Sequence, residues 1–129
     1  MITARQNWVI PSPGVYRRPM NNGMSQVTYE ITALLEPRLV AEYEEFMADR
    51  HIPDLMATGA SASATFSRSS PGRYRIRYEA IDRERLDGYL KNDANRLRAH
   101  VAAVFPSGIE FAREEWDVIA VFNSNLSSR

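Results

Sequence analysis

The sequence predicts an α+β domain in which two helices cover one side of a four-stranded antiparallel sheet, in the order β-α-β-β-α-β. Three observations carry that expectation. Apolar residues alternate with polar ones in segments near the start, middle and end of the chain. Two intervening segments show the three-to-four spacing of amphipathic helices. The two middle strand-like segments are separated only by the turn sequence "SSPGR", which makes them a hairpin. With 129 residues, 44% of them hydrophobic, the chain has room for one core and hence one domain.

The first 25 residues contain three prolines and two glycines and show no sustained period, so 1–25 reads as an irregular N-terminal tail. Trp8, Val9, Ile10, Val15 and Tyr16 give that tail the means to pack as an arm. "VTYEITAL" then alternates Val27, Tyr29, Ile31 and Ala33 against Thr28, Glu30 and Thr32, the pattern of a half-buried strand. Pro37 suits a first helical turn, and Leu39, Tyr43, Phe46 and Met47 fall on one helical face. That helix is expected to end near His51, because Pro53 pushes Ile52 out of helical geometry. "ASASATFS" sets Ala60, Ala62, Ala64 and Phe66 against Ser61, Ser63 and Thr65, and "RYRIRYEAI" sets Tyr74, Ile76, Tyr78 and Ala80 against Arg75, Arg77 and Glu79. Asp82 can cap a second helix with Arg85 in its first turn. Its apolar stripe runs through Leu86, Tyr89, Leu90, Leu97, Val101 and Val104 until "FPSG" stops it. "IEFAREEWDVIAVF" reads as a last strand whose apolar parity switches between Phe111 and Trp116, as a bulge or an early strand end would cause. The domain therefore spans 26–122, with 123–129 as a C-terminal tail.

This order is that of the ferredoxin-like split βαβ sandwich, whose helices need the apolar side of the sheet. The other side, with Thr28, Glu30, Thr32, Ser61, Ser63, Thr65, Arg75, Arg77 and Glu79, is small, polar and charged.

Composition removes several function classes. The formal charge is zero and the pI about 6.7, so no overall field favours nucleic acid or an anionic membrane. RNA-recognition modules share this topology, but Tyr74 and Tyr78 have the parity of Ile76 and point under the helices, and the expected glycines are missing. There is no cysteine, which excludes disulfides and thiolate chemistry and suits a cytoplasmic setting. No run of some 18 apolar residues and no leader-like segment occurs, so a soluble, non-secreted protein is expected. The two histidines, His51 and His100, stand outside any HExxH pattern, and no G-x-S-x-G or glycine-rich phosphate loop is present. Neither a protein-built metal site nor a cofactor is expected.

The run "HIPDLMATG", with "VTYEIT" ahead of it, "YEEFM" just before it, "RLRAH" in the second helix and "FAR" in the last strand, resembles the bacterial family called domain of unknown function 4286. The resemblance covers residues 26–116. It implies a ferredoxin-like subunit of the dimeric α/β-barrel superfamily, whose members pair their open sheet faces. No catalytic residues are established for that family, so none carries over. First-helix positions often filled by tryptophan in the family are Tyr43 and Phe46 here.

If two sheets pair, Glu30, Arg75, Arg77, Glu79 and Arg113 would leave water and must be ion-paired or hydrogen-bonded, as a structural network or a polar ligand site. They are the candidate ligand-binding residues. His51 is the candidate catalytic residue: a histidine in the last helical turn suits the macrodipole, but arginine or lysine would serve as well, whereas only histidine exchanges a proton near neutral pH. Asp54, three residues on, could orient its ring if the chain makes another turn. The expected function is that of a homodimeric cytoplasmic protein binding or transforming a small organic molecule. The alternative is a non-catalytic dimerisation or regulatory domain.

Overall fold

The computed structural model of the chain describes residues 14–18 and 26–124. Strand β1 is Val15–Arg18 and β2 is Val27–Leu35. A 3-10 turn, Pro37–Leu39, leads into α1, Val40–Phe46; a π turn, Met47–His51, follows and runs into α2, Ile52–Met56. Strands β3, Ser61–Ser70, and β4, Arg73–Ala80, form the hairpin. Helices α3, Arg83–Asn92, and α4, Ala94–Val104, precede β5, Ile109–Asp117, and β6, Val121–Ser124.

Four strands form one antiparallel sheet in the order β3-β4-β2-β5, with the helices on one side, which is the ferredoxin-like arrangement. On the covered side the register places Tyr29 opposite Tyr78, Ile31 opposite Ile76 and Ala33 opposite Tyr74, and all six are buried. Tyr43 of α1, fully buried, packs its ring within 5.2 Å of the Tyr74 centroid and 5.8 Å of that of Phe105. The hairpin turns on Pro71 and Gly72, whose φ of 91° only glycine adopts readily. Gly108, φ 95°, leads into β5 where a Cβ would meet Leu39 Cδ1 at 2.7 Å, so helix and strand approach more closely there than alanine would allow.

The first helix departs most from expectation. It does not stop at His51. Ile52 keeps helical φ and ψ of −65° and −45° although it precedes Pro53, and its N–H donates to the Met47 carbonyl five residues back. Pro53 then lies in the first turn of α2, where its missing N–H is tolerated. The extra residue in the π turn has a geometric effect. A step of four residues advances about 40° around an α-helix, so a stripe at that spacing drifts off any single face. Leu39, Tyr43, Met47, His51 and Leu55 follow that spacing and are nevertheless all buried, because the wider turn takes the drift back.

Other corrections are local. A register shift between Ser61 and Ser63 buries Ser61 and leaves Ala62 exposed, reversing the expected parity at the start of β3. The second helix is broken at Asp93 into α3 and α4, although Asp82 caps it as expected, accepting from the Arg85 N–H at 2.7 Å. Val104 is exposed, and Phe105 closes the stripe instead. Of the two expectations for the last strand, the early end holds and the bulge does not: β5 pairs with β2 unbroken from Ile109 to Asp117, where it stops, and Trp116 faces the uncovered side. The remainder of the expected last strand is β6, which pairs with β1 in a separate two-stranded ribbon, Val15 opposite Ser124. A strand therefore stands at Val15–Arg18, where the irregular tail was expected. The rest of that tail, and residues 125–129, lie outside the described residues.

Candidate functional site

A half-open cavity of about 400 Å³ lies between the covered face of the sheet and the helices. Its sheet wall is built by alternation: Tyr29 and Ile31 of β2, Ile76 of β4, and Phe111 and Arg113 of β5. The helices supply Met47 and His51 from the π turn, Tyr89 from α3 and Arg98, Val101 and Ala102 from α4, with Phe105 just beyond. Polar and apolar atoms share the lining about equally, the polar ones coming from groups such as His51, Tyr89, Arg98 and Arg113 set among aliphatic and aromatic side chains.

His51 is 6% exposed and sits in the wall of this cavity, not at a helix end. Its ring stacks on Phe46, with centroids 6.3 Å apart and planes at 23°. Burial pushes its pKa down from 6.5 to about 4; Asp54 opposes the shift, and His100 and Arg113 add to it. The imidazole is therefore neutral at pH 7. Nδ1 is buried with no hydrogen-bond partner among the described residues. A bare acceptor in a core costs less than a bare N–H, so we assign the proton to Nε2. Asp54 is exposed and reaches the ring only through its charge, not through a hydrogen bond.

Two cations share the cavity wall. Arg98 donates to the Tyr29 hydroxyl at 2.8 Å, and the Arg113 guanidinium lies 5.4 Å from the Phe111 ring centroid. Burial raises the Tyr89 phenol to about 12; Tyr29 adds to the rise, and Arg98 and Arg113 work against it. Arg98 was missed in the sequence because the broken helix hides the phase that turns it inward.

The predicted residues are thus divided between two places. His51 and Arg113 come together at the cavity. Arg113 stands opposite Ile31, on the covered face, which corrects its expected place beside the other charges. Glu30, Arg75, Arg77 and Glu79 occupy the uncovered face. Arg77 donates to Glu30 at 3.1 Å, while Arg75 and Glu79 stand opposite Thr32 and Thr28 and make no ion pair among the described residues. Tyr74 and Tyr78 are buried under the helices, so no aromatic platform for bases is available from β4. Among the described residues no group of three or more acidic, histidine or cysteine side chains could hold a metal ion, and no helix is long and apolar enough to cross a membrane.

The solved structures similar to this chain share its fold at low identity. One, from Caulobacter crescentus CB15, is described as a "putative antibiotic biosynthesis monooxygenase"; identity is 18%, the match covers 74% of this chain and 92% of that one, and the TM-score is 0.59. Another, protein SO0527 from Shewanella oneidensis, matches at 17% identity, 85% and 99% coverage and a TM-score of 0.58. A dimeric ferredoxin-like protein from an uncultured marine organism matches at 14% identity, 74% and 96% coverage and a TM-score of 0.54. No curated protein sequence matches this chain significantly. With the model of the domain of unknown function DUF4286 matching residues 26–119, the ferredoxin-like core just described, cavity included, belongs to that family.

Proposed function

We propose that this protein is a cytoplasmic homodimer that holds a small organic molecule in the cavity between its helices and its sheet, without a metal site built from its own side chains. The observation that carries this reading is the meeting of His51, Arg98 and Arg113, from three separate elements, at one cavity of ligand size with a half-apolar lining. His51 serves there as a neutral hydrogen-bonding group turned by the π turn toward the bound molecule, the place at which it would enter any chemistry.

The dimer forms through the uncovered sheet face. Among the described residues nothing packs on that face, which carries Leu34 at 48% and Trp116 at 52% exposure among the charges of Glu30, Arg75, Arg77 and Glu79. One structural neighbour is described as dimeric, which supports the same arrangement. The charged residues would then line the space between two sheets, where Glu30 and Arg77 already neutralise one another. The absence of cysteine suits the cytoplasm.

Two measurements test this. Light scattering should give twice the 14.7 kDa chain mass at micromolar concentration, and the chain mass alone would refute the dimer. A thermal-shift screen of small organic compounds should yield stabilisers whose effect disappears in Ala102→Trp, which fills the cavity from an exposed position. No stabiliser, or stabilisers indifferent to the tryptophan, would refute the cavity as the site.

A further inference from the structure

Resting on the cavity as a binding site, we infer that its occupant is a small apolar carboxylate, with the anionic end held by Arg98 and Arg113 at the mouth and the hydrocarbon part directed inward toward Met47, Ile76 and Phe105. The argument begins with charge. The cavity wall contains two guanidinium groups and no carboxylate. Arg38, Arg68, Arg77, Arg83 and Arg96 each have an acidic partner within salt-bridge distance, and Arg50, Arg73, Arg75 and Arg85, which have none among the described residues, take no part in the cavity wall. Arg98 bonds instead to a neutral phenol and Arg113 lies against a ring, so both cations reach the cavity without a counter-ion among the described residues. Of the carboxylates on the adjoining rim, Glu115 is bound to Arg83 at 2.6 Å, and Glu114 stands opposite Glu30 on the alternate parity of β5.

Hydrogen-bonding capacity points the same way. Guanidinium groups only donate. The Tyr29 hydroxyl already accepts from Arg98, which leaves its own O–H free to donate. A ligand that meets donors from Arg98, Arg113 and Tyr29 must offer several acceptor sites close together, and a carboxylate offers about four on two oxygens. An amine would be repelled, and a neutral hydrocarbon would leave the donors unmatched at its edge. Depth sets the remaining chemistry. Arg113 is exposed and Arg98 half-buried, whereas Met47 and Ile76 are 2% and 1% exposed and the buried polar groups, His51, Tyr29 and Tyr89, are neutral, so charge is confined to the mouth. A compact monoanion with an apolar body matches that arrangement; a polyanion or a sugar does not.

The probes are 2-naphthoate and its neutral counterpart 2-naphthamide, compared by isothermal titration calorimetry on the full chain. Naphthoate should bind about tenfold or more tightly than the amide, the scale of a charge-assisted hydrogen bond. Arg98→Gln and Arg113→Gln should each weaken naphthoate about tenfold and leave the amide unchanged, with circular dichroism confirming the fold. Arg75→Gln, on the opposite face, should change neither. Equal binding of the two probes, or naphthoate binding indifferent to both arginine variants, overturns the carboxylate inference while leaving the cavity as a site. Binding of neither at millimolar concentration overturns both.

Discussion

Neighbouring residues of β2 occupy two different environments. Tyr29 is buried under the helices with its ring 6.1 Å from that of Tyr78, while Glu30, the next residue, faces the uncovered side and meets Arg77 at 3.1 Å. The two cross-strand pairs are one register position apart. On the covered side the energetics come from packed rings and from desolvation, which holds a histidine neutral and makes costly the Tyr43 and Tyr78 phenol groups that have no partner among the described residues. On the uncovered side of the isolated chain water reaches Arg77, 43% exposed, more than Glu30, 15% exposed, and such a pair matters little to the stability of the monomer. Polarity of a side chain is thus a poor guide to its weight in this molecule; the side of the sheet decides.

The sharpest way to break that comparison is at Tyr43. Tyr43→Ala should cost about 3–5 kcal/mol, as removal of a large buried ring does, measured by urea unfolding. A loss under about 1 kcal/mol would mean that the helix side can collapse around the gap.

His51 gives the next largest effect, and it depends on pH. Its folded pKa, about 4, lies below the unfolded value of 6.5. Between those values the unfolded chain takes up a proton that the folded chain refuses, so stability falls as pH drops from 6.5 toward 4 and is unaffected above 6.5. The full loss is on the order of 3 kcal/mol. Carboxylates titrate in the same range in any variant, so the informative quantity is the difference between wild type and His51→Leu at pH 8 and pH 4. Parallel stability curves for the two proteins would place the imidazole in contact with solvent.

Substitution on the uncovered face should do much less. Glu30→Gln should change monomer stability by less than about 1 kcal/mol, because Arg77 is 43% exposed. A larger loss that grows with dilution would locate Glu30 in a subunit contact, sharpening the contrast between an open face and a covered one. Smallest of all is Tyr43→Phe, which removes only a hydroxyl that has no partner among the described residues; its midpoint should stay within about a degree or two, or rise. A clear fall would reveal a buried water on that oxygen.

Most of the fold was legible in the sequence because its signals were local. The alternation in β2 and β4, the "SSPGR" turn and the Asp82 cap each follow from a few adjacent residues, and the structure has all of them. What failed depended on counting across an irregularity. Pro53 looked like a stop because the usual rule places a break before proline, yet the four-residue spacing of Leu39, Tyr43, Met47, His51 and Leu55 was already visible in the sequence and signals an over-wide turn. The bulge at Ser61 could not be read from a strand of alternating alanine and serine, since neither residue has enough side chain to reveal which way it points. Arg113 was grouped with the other arginines by type, when its parity with Phe111 already put it on the covered side. Two of the three residues that meet at the candidate site, His51 and Arg113, were therefore visible; Arg98 needed the three-dimensional path of α4.

The π turn also makes one stretch of this helix undemanding in length as well as in side-chain identity. Ala48, Asp49 and Arg50 are all exposed within it, so substitutions there touch nothing the core needs. The turn already holds one residue more than an ordinary helical turn, so deleting one of the three lets it close as an α turn: the lost residue takes away about 100°, and the tighter winding of the others gives much of it back. The same deletion in the uninterrupted winding of α4 would swing everything beyond it by the full step. The surplus residue is slack that the helix can give up once.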